Sequence, residues 1–83
     1  MQKTEIWAVE HSRIAHFFQC QPDVVQAGSG FLFGACQIAV AALEDRRIGS
    51  MRLPRTQVAF EGEESALRTI YRRFLLEFLS AGG

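Results

Sequence analysis

Four side chains of this sequence have the chemistry to hold a metal or build a nucleophile: His11, His16, Cys20 and Cys36. A Cys beside a His supplies a thiolate and its general base, and the same donors bind zinc. His16 and Cys20 stand one helical turn apart, so on a helix they share a face. Zinc wants four ligands, however, and no C-x-x-C or H-x-x-x-H pair anchors a set. A Cys–His nucleophile also needs an orienting group and an oxyanion site, and neither can be picked out. The expectation is no catalytic residue, no metal and no cofactor, with the two Cys acting as small hydrophobes.

Glycines make a second pattern. Gly28-Ser29-Gly30-Phe31-Leu32-Phe33-Gly34 has the G-x-G-x-x-x-G spacing of a dinucleotide-binding turn, where backbone N–H groups at a helix start hold phosphate. The apolar run before it, Val24-Val25, is too short for the strand such a turn follows. Phe31 and Phe33 would crowd the pyrophosphate. The glycines are therefore read as segment ends, with Gly34 allowing close packing.

Ile14 to Val25 echoes a helix-turn-helix, with Ala15, Phe18, Cys20 and Val25 where that motif wants core residues. Gln19 stands where the turn favours Gly, and the second helix would carry no Arg or Lys for phosphate. A small helix-turn-helix-like DNA-binding regulator is kept only as the alternative reading. Gly82-Gly83 resembles the ending of small sulfur-carrier and ubiquitin-like proteins, which activate the terminal carboxylate. Those proteins have a β-grasp fold with a strand leading into the tail. Here Leu67 to Leu79 reads as helix, so the likeness covers two residues.

Cations are the remaining chemistry. Eight of the nine basic residues are Arg, and Arg46, Arg47, Arg52 and Arg55 lie in a stretch without an acid. With Arg72 and Arg73 on the last helix they are the candidate partner-binding residues, since a guanidinium pairs bidentately with carboxylate. Glu44, Asp45, Glu61, Glu63 and Glu64 are nearby acids that offer the alternative of a solvated surface.

The elements that must position these groups follow from periodicity. His11 to Cys20 carries Ile14, Phe17 and Phe18 at helical spacing and stops before Pro22. Gly30 to Arg47 is apolar all round for about three turns, which reads as a buried central helix with Ala39 inside it. Glu63 to Leu79 repeats Leu67, Ile70, Tyr71, Phe74, Leu75 and Phe78 at three and four. The expectation is one domain over 1–83, mainly α, with helices near 11–20, 30–47 and 63–80. A short antiparallel strand pair fits near 4–9 and 56–60.

Composition narrows the function. Hydrophobic residues make up 48% and the formal charge is zero, so no global field draws the chain to nucleic acid or membrane. That much apolar surface on a small particle points to a partner. The expected protein is a small helical, non-enzymatic protein-interaction module of adaptor, assembly-factor or inhibitor type, binding another protein. It is also expected to be a homodimer, with Tyr71, Phe74, Leu75, Phe78 and Leu79 at the interface. Met1 to Glu10 lacks an apolar leader, and no run is long enough to span a membrane, so the cytoplasm is the expected compartment.

Overall fold

The computed structural model describes residues 1–82, with side chains through Leu79. Gly83, the second glycine of the Gly82-Gly83 ending, lies outside them. Five strands and two helices follow one another along the chain: β1 (Gln2–Trp7), α1 (His11–Gln19), β2 (Val25–Ala27), β3 (Gly30–Phe33), β4 (Cys36–Ile48), β5 (Met51–Gly62) and α2 (Glu64–Gly82). The strands form one sheet in the order β1-β5-β4-β3-β2. Every neighbouring pair is antiparallel. No helix among the described residues is long and apolar enough to cross a membrane.

This corrects the mainly α expectation and with it the description as a small helical protein. The segment expected as a central helix over 30–47 is instead β3, a turn and most of β4. Its residues alternate: Cys36, Ile38 and Val40 are buried while Gln37, Ala39 and Ala41 are exposed. An apolar run looks buried on every side when its Ala residues are counted as core. In the sheet those same Ala residues line the face that no helix covers, and Ala39 is exposed rather than internal.

Glycine turns make the sheet possible. Gly28-Ser29, Gly34-Ala35 and Gly49-Ser50 each bridge directly paired strand ends, with positive φ at the glycine alone. That sign pattern belongs to type II′ hairpin turns, whose twist matches the strands they join. The G-x-G-x-x-x-G spacing is thus two hairpin turns separated by the four residues of β3.

Both helices lie on one side of the sheet. Ile14 and Phe18 of α1 point inward from consecutive turns. From α2, Leu67, Ile70, Phe74 and Phe78 do the same. They meet Phe31, Cys36, Ile38, Val40, Val58 and Phe60 from the sheet. Aromatic rings fill the centre, with Phe18 stacked on Phe74 at 5.8 Å and Trp7 edge-on to Phe74 at 5.1 Å. Among the described residues Thr56 is the buried polar side chain, and its hydroxyl donates to the Val9 carbonyl at 2.6 Å. Glu63 starts α2 by accepting the Ser65 and Ala66 backbone N–H groups, both at 2.9 Å. Those bonds to the anion hold its carboxyl below the ordinary carboxylate range.

Candidate functional site

The structure brings His16 and Cys20 together at the end of α1, with Nε2 3.3 Å from Sγ. The pair is exposed and opens on a shallow hollow shared with Arg13 and Glu77. Cys36 is fully buried in the core, and burial pushes its thiol up. His11 lies elsewhere on α1, its Nε2 3.2 Å from the Val40 carbonyl oxygen. Among the described residues no three His, Cys, Asp or Glu side chains gather into a metal-holding group.

The helix-turn-helix reading loses its second helix, because Val25 opens β2 instead. The Arg residues fall into two places. Arg46, Arg47, Arg52 and Arg55 stand on the far half of the β4–β5 hairpin, which extends beyond the short β3. Arg52 pairs with Asp45 at 3.2 Å, both well exposed. Arg47 lies directly opposite Arg52 in the ladder. Arg73 is engaged within the chain. It donates to Asp23 at 2.8 Å, and its guanidinium lies over the Phe33 ring at 5.1 Å. The paired guanidinium lowers the Asp23 carboxyl, and the hydrogen bond to Asp23 raises Arg73 in return. Arg72, one residue earlier, is exposed.

The α2 residues expected at a dimer interface divide as well. Phe74 and Phe78 belong to the chain's own core. Tyr71 and Leu75 pack against that core. Leu79 remains exposed, as does Leu76, at 60% and 61%. One chain therefore absorbs most of the stripe, and the free part of it is Leu76 and Leu79.

Tyr71 contributes a measurable property. Its hydroxyl donates to Glu5 Oε2 at 2.6 Å, and the Trp7 indole N–H donates to Oε1 at 3.1 Å. Burial first, then the bond and charge of Glu5, push the phenol up to about 12. The neutral phenol is thus favoured in the fold. Its contribution to stability is full below the unfolded value near 10 and is lost as pH rises toward 12. Tyr71 is the single Tyr, so an ultraviolet titration reads it directly. The expected result is phenolate appearing well above pH 10, with a stability loss over that window that Tyr71→Phe lacks. A phenol titrating at its ordinary value would contradict the contact.

The face of the sheet opposite the helices carries the feature that the sequence reading missed. Small residues lie across all five strands: Thr4 opposite Ala59, Ala59 opposite Ala39, Gly30 close beside Ala39, and Ala27 opposite Gly30. Gly30 passes so close to β4 that an added Cβ would stand 2.5 Å from the Ile38 carbonyl oxygen. Ala27, Gly30, Ala39 and Ala59 floor a hollow of about 400 Å³ rimmed by Leu32, Gln37 and Glu61. Strand alternation was the signal that would have found it, because Ala39 and Ala41 alternate with buried Ile38 and Val40 in β4, and Ala59 stands between buried Val58 and Phe60 in β5. Residues 34–83, from the β3–β4 turn to the last residue, match the family described as archaeal MoaD-like protein.

The chain belongs to that archaeal MoaD-like family. No curated protein matches it. The matched part holds β4, β5 and α2, which are the centre of the sheet and the helix that covers it. A sheet holding helices against one face is the layout of a MoaD-like β-grasp domain, and it replaces the mainly α expectation. This MoaD-like chain departs from the resemblance drawn from Gly82-Gly83 in one respect. The element that leads into the ending is α2, which runs to Gly82, not a strand.

Proposed function

We propose that this chain is a non-enzymatic interaction module that a larger protein holds by the open face of its sheet. The observation that supports the reading is the row of small side chains across all five strands, flanked by uncharged residues apart from Glu61. Small side chains let another backbone approach closely, and few charges need to be stripped of water on contact. Membership of a family of small proteins is compatible with a part handled by a larger one. A cytoplasmic setting fits this role.

The test is Ala39→Arg. Ala39 is exposed, so the long side chain changes stability by no more than about 0.5 kcal/mol. Bait protein from the native cell is expected to retain one larger protein, and the variant is expected to lose it while melting normally. Equal retention by the variant would overturn the docking face.

A second reading is a carrier whose terminal glycine carboxylate is activated. It is favoured by a family match that runs through Gly82-Gly83. The mass of the terminal peptide from the same native preparation tests it. The reading requires a natural end at Gly83 and sulfur or a conjugate on that carboxylate. A chain continuing past Gly83, or an end that is never modified, would reject it.

A further inference from the structure

β4 outruns its neighbour. β3 pairs with it only over Cys36 to Ile38, while β4 continues to Ile48. Beyond that pairing its outer edge has no strand beside it among the described residues. His11 caps the Val40 carbonyl there, and the residues from Glu44 to Ile48 are exposed. An open edge is a template for another strand, and natural edges are commonly guarded by charge. Here the guard has both signs, in an order that complements itself. The edge reads Leu43-Glu44-Asp45-Arg46-Arg47-Ile48.

Laid antiparallel against a second copy, with the axis between Asp45 and Arg46, this segment matches in the order of its residue types. Leu43 falls opposite Ile48, Glu44 opposite Arg47, and Asp45 opposite Arg46, and the two-fold repeats each pair. The faces agree at the ends. Leu43 pairs with Arg55 and Ile48 with Met51 on β5, and Arg55 and Met51 lie on one face because strand side chains alternate. Leu43 and Ile48 thus share the open face and meet across the axis, covering an Ile48 that is 53% exposed in the single chain. The ladder with β5 shifts register between Leu43 and Arg46, which bends the strand at the axis. Asp45 turns to Arg52 on one face while Arg46 stands opposite Leu53 on the other, so around the axis these two residues place opposite charges near each other without a direct pair.

We propose that the chain forms a two-fold dimer by antiparallel pairing of its β4 edges over Leu43 to Ile48, joining two sheets into one. The occupant is a second copy because the acid-acid-base-base order needs the same order reversed, which the two-fold supplies. The interface uses the edge and leaves the row around Ala39 free, so it stands or falls independently of the docking face.

Light scattering on the full chain over a dilution series tests it with two variants. One carries Glu44→Arg and Asp45→Arg, the other Arg46→Asp and Arg47→Glu. The wild type is expected at the mass of two chains. Each variant alone meets like charges across the axis and is expected to associate on the order of tenfold more weakly, or worse. An equal mixture of the two restores complementary edges and is expected to recover the two-chain mass. A wild type that stays at one chain into the high micromolar range would overturn the proposal, as would a dimer equally strong in both variants. A separate measurement needs no charge change: in a Cys20→Ser background, chains with Leu43→Cys and with Ile48→Cys are mixed and oxidised. A mixed disulfide is expected between them, and its absence would also overturn the pairing.

Discussion

Replacing Phe74 by Ala is expected to remove a large share of the chain's stability, about 3–5 kcal/mol. Phe74 is fully buried, and its ring touches aromatic rings from four elements. Trp7 of β1 lies at 5.1 Å, Phe18 of α1 at 5.8 Å, Phe60 of β5 at 5.8 Å and Phe78 of α2 at 5.0 Å. These elements come from both ends and the middle of the sequence, so they cannot collapse around the gap without moving the helix layer. Truncating a buried Phe costs about 3–5 kcal/mol. A domain of this length has only roughly 4–12 kcal/mol in all. Leu76→Ala, on the exposed side of the same helix, is expected to change stability by no more than about 0.5 kcal/mol. Denaturant titration followed by circular dichroism compares the two. A Phe74→Ala transition close to wild type would mean that α2 does not pack as described.

Gly62→Ala is the second large effect, and it acts through the backbone rather than the core. Gly62 ends β5 at φ 149°, a conformation that L side chains rarely adopt. An added Cβ would run into the Ala35 carbonyl oxygen and come within 2.8 Å of the Cys36 Cα. Neither neighbour can yield cheaply. The Ala35 carbonyl accepts the Glu63 N–H at 3.1 Å, and Gly62 itself bonds Met1 through both its N–H and its carbonyl. The substitution must therefore displace the β3–β4 turn, the start of β1 or the entry to α2. Backbone strain and overpacking together are expected to cost about 3 kcal/mol or more. Gly28→Ala is the comparison, since its φ is also positive but nothing stands within 4 Å of the added carbon. It is expected to cost about 1–2 kcal/mol, the penalty of the left-handed conformation alone. Equal melting of the two variants would show that the close approach at Gly62 does not constrain the fold.

Local pattern was enough for the two helices and the outer strand pair. Ile14 and Phe18 on α1, and Leu67, Ile70, Phe74 and Phe78 on α2, recur at helical spacing whatever surrounds them. The antiparallel pair near 4–9 and 56–60 exists as β1 against β5, with Thr4 opposite Ala59 and Trp7 opposite Thr56. There a short alternation of β-branched and polar residues suffices. The three hairpin glycines were equally visible, but each Gly-Ser or Gly-Ala pair carries turn information only when strands flank it. With the flanks taken for a helix, the glycines read only as segment ends, with Gly34 allowing close packing.

The segment from Gly30 to Ile48 shows where local pattern ends. Phe31, Ile38 and Val40 alternate with Leu32, Gln37, Ala39 and Ala41, and Ala is apolar enough to sit on either side of an element. Period alone therefore cannot separate a buried helix from a strand. The hydrogen-bond partners in β5 and β3 decide it, and they lie as far away in the chain as Gly62 is from Cys36. The same long-range pairing set the fate of the candidate sites. It buried Phe74 and Phe78 in the chain's own core, tied Arg73 to Asp23, and raised Arg46, Arg47, Arg52 and Arg55 onto a projecting hairpin. Residue types establish which groups carry charge or apolar surface. Which of those groups remain free for a partner depends on the neighbours that the tertiary fold brings, because burial and pairing are properties of contacts between distant segments.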